Sequence, residues 1–178
     1  MQQLILGGAR SGKSRLAQDL AQGLESKGKK VIYIATADSS FNDASMDDRI
    51  SQHQQQRPSH WPTIECPIEL GQTLRENSAG DTCLLVDCLS LWLSNCLLQK
   101  TDIAPPAHGR ILLESIQGLS ADIIFVSNEV GLGVIPMGQL SRDFVDQSGF
   151  LHQALAQHCH RVIFTAAGLP LVMKGPAL

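Results

Sequence analysis

Short aliphatic runs alternate along the chain with longer stretches in which apolar side chains recur every three or four positions. The first run, residues 4–6, reads as a buried strand entering a glycine turn. From 13 to about 27, Leu16, Ala17, Leu20, Ala21 and Leu24 form the stripe of an amphipathic helix, and Gly28 supplies its stop. Residues 31–35 predict a second strand. A very polar helix is expected over 43–56, ended by Pro58. Residues 83–86 predict a third strand, followed by a helical pattern through Leu89, Leu91, Trp92 and Leu97. The stretch 100–109 holds two prolines and a glycine and reads as a connecting loop. Beyond it the pattern predicts a helix over 111–119, a strand over 123–126, a long helix from 140 to about 158, and strands at 161–164 and 169–173.

Continuous Val/Ile/Leu strands separated by helices imply a mainly parallel sheet covered on both faces. The expected class is α/β, doubly wound. No internal repeat or linker divides the chain, and only 52–56 is low in complexity, so residues 1–178 are expected to form a single domain.

Composition narrows the function classes. The 178 residues are 43% hydrophobic and 17% charged, a globular balance. A net charge of −3 without a basic tract argues against a nucleic-acid partner. Aromatics at 4% leave little for a base-stacking platform. No apolar run approaches the roughly 18–20 residues of a membrane span, and the first residues lack the basic region of a signal peptide. A soluble, cytoplasmic protein is expected. Cys66, Cys83, Cys88, Cys96 and Cys159 are odd in number and lack a C-x-x-C pair, which suits buried small hydrophobes in a reducing compartment. His158, Cys159 and His160 point about 100° apart on a helix and do not converge on a metal.

Gly7-Gly8-Ala9-Arg10-Ser11-Gly12-Lys13-Ser14 matches G-x-x-x-x-G-K-[ST] in full, between a strand and a helix. Its backbone N–H groups can wrap phosphate oxygens at a helix N-terminus. Lys13 supplies charge to the β- and γ-phosphates, and the Ser14 hydroxyl can ligate Mg²⁺. A P-loop NTPase, RecA-like in its doubly wound sheet, is therefore expected. Asp87 ends a buried run and is placed to hold the Mg²⁺, although apolar runs ending in Asp are common. Glu129 follows another strand, where the crevice of an open parallel sheet lies; a solvated loop acid is the alternative. The Asn-Lys-x-Asp guanine-reading motif is absent.

In the polar helix only Met46 and Ile50 are apolar, while Arg49, His53 and Arg57 recur every four residues. Two guanidiniums beside an imidazole suit phosphate handling and favour neutral imidazole, yet the same spacing describes a solvated surface helix. His60 and His108 are weaker candidates, and His152 reads as a surface or packing residue.

These motifs converge on one family. Gly7 to Arg15, Tyr33-Ile34-Ala35-Thr36, Arg49-Ile50-x-x-His53, Arg57-Pro58-x-His60-Trp61, the Asp87 segment through Trp92, Ser127-Asn128-Glu129-Val130-Gly131 and Gly168-Leu169-Pro170-Leu171 occur in order along the whole chain. Together they resemble the bifunctional adenosylcobinamide kinase / adenosylcobinamide-phosphate guanylyltransferase of cobalamin biosynthesis. The resemblance implies that adenosylcobinamide is phosphorylated with ATP or GTP, and that GMP passes from GTP through a guanylyl-histidine to the corrinoid phosphate. His53 corresponds to that histidine, with Lys13 as the second catalytic group. Nucleotide contacts are implied at Gly7 to Ser14, at Thr36, Ala37 and Asp38, at Gln54, Gln55, Gln56 and Arg57, and at Glu65 and Asp87. Ser14 and Asp87 would hold Mg²⁺. The implied partners are ATP or GTP, adenosylcobinamide and its phosphate, and further copies of the chain, trimeric as family members are. Val145 and His152 depart from the family's Arg and Asn, which touches a corrinoid or subunit contact rather than nucleotide chemistry. A single-activity small-molecule kinase and a noncatalytic nucleotide-binding subunit remain the alternatives.

Overall fold

The computed structural model describes residues 1–38, 57–98 and 105–178. The expected polar helix over 43–56, with Arg49, His53, Gln54, Gln55 and Gln56, lies outside the described residues. The elements run β1 (Gln2–Gly7), α1 (Lys13–Glu25), β2 (Lys30–Ala35), β3 (Thr63–Glu65), α2 (Leu70–Glu76), β4 (Thr82–Asp87), α3 (Leu89–Leu98), α4 (Pro105–Ile116), β5 (Asp122–Asn128), α5 (Gln139–His158), β6 (Arg161–Ala166) and β7 (Leu169–Lys174). They build one sheet in the order β3-β2-β4-β5-β1-β6-β7. Every pairing is parallel except that of β6 with β7.

Strand alternation divides the apolar residues between two cores. Leu4, Leu84, Val86, Ile123 and Phe125 face one side, where they meet Leu70 and Leu74 of α2, Trp92 of α3, Leu112 and Ile116 of α4, and Leu151 and Leu155 of α5. Ile5, Cys83, Leu85, Ile124 and Val126 face the other, packed on Ala17 and Ala21 of α1. The expected doubly wound sheet is thus observed. All five cysteines are buried and free. No helix among the described residues is long and apolar enough to cross a membrane.

Three expectations change. The stretch expected to be a loop up to residue 109 is helical from Pro105. Proline is accepted in a first helical turn because N–H groups there have no intrahelical acceptor. The same helix ends at Ile116, before the positive φ of Gly118, rather than at 119. Strand β3 and helix α2 are additions to the expected elements; they are 3 and 7 residues long, too short to display a period.

The ends of β2 and β4 are fastened side by side. Thr36 is fully buried; its hydroxyl donates to the Cys88 carbonyl at 2.6 Å and accepts the Cys88 N–H at 2.8 Å. Asn95 of α3 donates to the Thr36 carbonyl at 2.8 Å and to that of Pro67 at 3.1 Å. Replacing the hydroxyl with a methyl strands two buried backbone groups at once. Thr36→Val is expected to destabilise the chain by about 2–5 kcal/mol, measured as a lower urea midpoint, while Thr36→Ser retains most of the stability. Equal midpoints for the Val and Ser variants would contradict this account.

Candidate functional site

Parallel strands deliver their C-terminal ends to one edge, and the sequence motifs gather there. Gly7 ends β1 between Asn128 of β5 and Thr165 of β6. A side chain cannot fit at this position: a Cβ on Gly7 would lie 2.4 Å from the Thr165 carbonyl oxygen and 2.6 Å from Ser11 Oγ. The loop then closes through Ser11 N–H to the Gly8 carbonyl at 3.2 Å. Arg10 and Gly12 take positive φ, 56° and 94°, to turn the chain into α1. Two neighbours brace the loop from outside. The Glu129 N–H donates to the Gly7 carbonyl at 3.0 Å, and the Gly168 N–H to the Ser11 carbonyl at 2.9 Å.

Lys13 opens α1, is buried, and donates from Nζ to the Gly8 carbonyl at 3.1 Å. Burial lowers its pKa, and the neighbouring Cys88 and Asp87 side chains oppose that shift. Around the loop, Ser11 Oγ, Asn128 Oδ1 and Thr165 Oγ1 are buried without a hydrogen-bond partner among the described residues. Buried polar atoms are ordinarily satisfied. Their concentration about Gly7 marks the place where a polar ligand would complete the structure.

Asp87 ends β4, in register with Ala35 on one side and Val126 on the other. Tyr33 of β2 donates its hydroxyl to Asp87 Oδ2 at 3.1 Å. Burial first, and the Asp87 charge second, push the Tyr33 pKa far up, so the phenol stays protonated and a donor. The Arg57 guanidinium lies over the Tyr33 ring, 4.6 Å from its centroid. Arg57 and Asp87 are therefore linked through Tyr33.

Among the expected site residues, Gly7 to Ser14, Asp87 and Arg57 occupy this edge. Glu65 ends β3, exposed, in the same row as Ala35 and Asp87. Ala37 and Asp38 leave the end of β2, both partly exposed. Thr36 sits there too, with its hydroxyl committed to Cys88. His53, Gln54, Gln55 and Gln56 fall outside the described residues. Sequence reasoning assigns no role to Tyr33, Asn128 or Thr165; Asn128 and Thr165 follow the ends of aliphatic runs, while Tyr33 is the one aromatic inside its run. His152, expected on the surface or in packing, is buried and paired with Ser127 and Glu129.

The family model described as cobinamide kinase / cobinamide phosphate guanyltransferase matches residues 3–173. The chain is 52% identical over 178 residues to the bifunctional adenosylcobalamin biosynthesis protein CobP of Pseudomonas aeruginosa, covering 100% of both chains. It is 33% identical to CobU of Salmonella typhimurium, described in the same words, over 96% of this chain and 98% of that one. Among solved structures, an ATPase domain superposes with a TM-score of 0.52 at 14% identity, over 92% of this chain and 68% of that chain. A protein of Pyrococcus horikoshii OT3 does so with a TM-score of 0.55 at 8% identity, over 99% and 87%. At those identities the likeness is one of fold.

The crowding around Gly7 generates a direct test. Gly7→Ala must push apart the Thr165 carbonyl and the Ser11 side chain, so its affinity for ATP and GTP should fall by at least about tenfold, equivalent to about 1.4 kcal/mol. Gly23→Ala, where nothing lies within 4 Å of the added carbon, serves as the control. Calorimetric titration showing wild-type affinity in Gly7→Ala would refute the packing argument.

Proposed function

The chain belongs to the cobinamide kinase / cobinamide phosphate guanyltransferase family, and on that premise we propose that it carries out both reactions on one domain. It phosphorylates the hydroxyl of adenosylcobinamide with ATP or GTP. It then transfers GMP from GTP onto the corrinoid phosphate to give adenosylcobinamide-GDP. The observation that carries the reading is a family match along residues 3–173 on a chain whose phosphate loop, Asp87 and Arg57 share one sheet edge.

In the kinase step the loop N–H groups and Lys13 bind the β- and γ-phosphates and stabilise the charge that gathers on their oxygens. The Ser14 hydroxyl and the Asp87 carboxylate are oxygen donors, the chemistry a hard divalent cation takes, and Asp87 is near enough to act electrostatically on Lys13. These two residues would hold Mg²⁺, which when bound neutralises phosphate charge. The Tyr33 hydroxyl fixes the rotation of the Asp87 carboxylate.

In the guanylyl step the imidazole of His53 attacks the α-phosphorus of GTP. A P–N bond forms and the α,β-bridging bond breaks, with its electron pair leaving on pyrophosphate. A phosphate oxygen of the corrinoid then displaces the histidine. Arg57, four residues after His53 in sequence, rests on Tyr33 beside Asp87, which supports a phosphate-handling role for Arg57 at this edge. Thr36, Ala37, Asp38 and Glu65, at the ends of β2 and β3, are the groups we assign to nucleotide contact with Gln54, Gln55, Gln56 and Arg57.

Self-association belongs to the same reading. Edge strand β7 exposes Leu169, Leu171 and Met173 at alternating positions, and the stretch before α5 exposes Leu132, Val134, Ile135 and Met137. Apolar rows of this extent mark interaction surfaces, and a second copy of the chain is the proposed occupant.

GTP labelled at the α-phosphate should leave an acid-labile, base-stable adduct on the folded protein, absent from His53→Ala. A folded wild-type protein that transfers γ-phosphate but never retains GMP would reduce the reading to a single-activity kinase. Sedimentation provides the other check. Wild-type protein is expected as an oligomer and Leu171→Glu as a smaller species, and a monomeric wild type would remove the self-association proposal.

A further inference from the structure

We propose that Glu129 is the carboxylate that accepts the proton of the acceptor hydroxyl in the kinase step, and that His152 is its positioning residue. The inference rests on the kinase activity proposed above and assigns two residues to it.

Glu129 follows β5, the strand beside β1, and its N–H is bonded to the Gly7 carbonyl at 3.0 Å. The first residue of the phosphate loop and the backbone of Glu129 are therefore joined directly. The side chain is 22% exposed, neither sealed in the core nor free in solvent. Oε1 accepts the Gly131 N–H at 2.6 Å, and Oε2 faces His152 Nδ1 at 3.7 Å. Asp87, the acid that ends β4, accepts the Tyr33 hydroxyl and would hold the cation, whereas Glu129 is bonded through its own backbone to the loop.

His152 stands on α5, buried, and both its ring nitrogens have neighbours. Nε2 lies 2.7 Å from Ser127 Oγ, Ser127 Oγ lies 3.2 Å from Ser90 Oγ, and Ser90 Oγ accepts the Asn128 N–H at 2.7 Å. An ionised carboxylate only accepts, so the ring hydrogen belongs on Nδ1, towards Glu129. Nε2 then accepts the Ser127 O–H, and Ser127 accepts the Ser90 O–H. Each donor in the chain from Asn128 through Ser90, Ser127 and His152 points towards Glu129. Burial lowers the His152 pKa against the opposing influence of Glu129. A neutral imidazole 3.7 Å from Oε2 presents its N–H towards the carboxylate without cancelling its charge.

The two half-reactions need such a group unequally. In phosphorylation the hydroxyl oxygen bonds to the γ-phosphorus and the β,γ-bridging bond breaks, its electron pair leaving on the nucleoside diphosphate. The hydroxyl proton passes to the Glu129 carboxylate and then to solvent. In guanylyl transfer the entering group is a phosphate oxygen that carries no proton at neutral pH, so no base is required. A proton acceptor therefore has a different signature from a structural support.

Full-length wild type, Glu129→Gln, His152→Ala and His152→Gln are compared in two assays. One follows γ-phosphoryl transfer to adenosylcobinamide, and the other GMP transfer from GTP to pre-formed adenosylcobinamide phosphate. Glu129→Gln is expected to lower kinase kcat by about 10²–10⁴-fold, with KM for ATP and cobinamide changed by less than about threefold and GMP transfer near wild type. His152→Ala should lower kinase kcat by about tenfold, and His152→Gln, whose amide can present a donor to Oε2, should restore most of it. Parallel loss of both activities in Glu129→Gln would make the residue a support for the loop and overturn the proposal. Retention of kinase kcat would overturn it as well. A wild type that transfers GMP but lacks kinase activity would instead remove the kinase reading itself.

Discussion

The close approach of β1, β6 and the phosphate loop at Gly7 is the constraint on which the rest of the structure depends. A Cβ at the end of β1 would occupy the space of the Thr165 carbonyl and the Ser11 side chain, so the end of β1 can lie against β6 with the loop folded back over it because this residue has none. There Glu129 bonds back to Gly7, and Gly168, after β6, bonds to Ser11. The phosphate loop is thereby held on both flanks by elements far away in sequence. A loop whose N–H groups must converge on an anion gains from such bracing, because preorganised donors need no rearrangement when charge develops.

A second set of contacts carries that order away from the loop. Thr36 joins the ends of β2 and β4 through both backbone groups of Cys88, next to Asp87. Tyr33, on the same strand as the end fastened by Thr36, holds the Asp87 carboxylate, and Arg57 stacks on its ring. The neutral phenol serves both neighbours: its hydrogen satisfies the carboxylate while its π-face accepts the guanidinium. Deprotonation would set a phenolate against Asp87 in a buried space, and burial and the carboxylate both oppose it.

What can be read in the sequence follows how local each feature is. The phosphate loop is legible because its spacing, its glycines and the flanking strand and helix all lie within a few residues of one another. Aliphatic runs reveal β1, β2, β4, β5 and β6 in type, since a strand covered on both faces needs apolar residues at every position. Strand β3 is not legible because Thr63-Ile64-Glu65 holds a single aliphatic residue and owes its pairing to β2. The start of α4 misleads because proline is a breaker inside a helix and acceptable in its first turn. Asp87 can be found, but its partner Tyr33 cannot, because the contact joins two strands that only the sheet order makes neighbours. The pairing of Glu129 with His152 is hidden for the same reason: α5 reaches β5 through tertiary packing alone.

The sheet order bears on how one sheet edge could serve two reactions. A phosphate loop fixes the β-phosphate, which places the α- and γ-phosphorus atoms on either side of it, so a single grip serves attack at both. The two attacking groups must then approach along different lines. Strands β2 and β5 flank β4 on opposite sides. Arg57, trailing the His53 segment, rests over β2, and Glu129 leaves β5. On the proposed assignments Arg57 stands on one side of Asp87 and the proton acceptor for the alcohol on the other. Exchange between the reactions then requires a change of nucleotide and corrinoid, with the edge around Gly7 left unchanged.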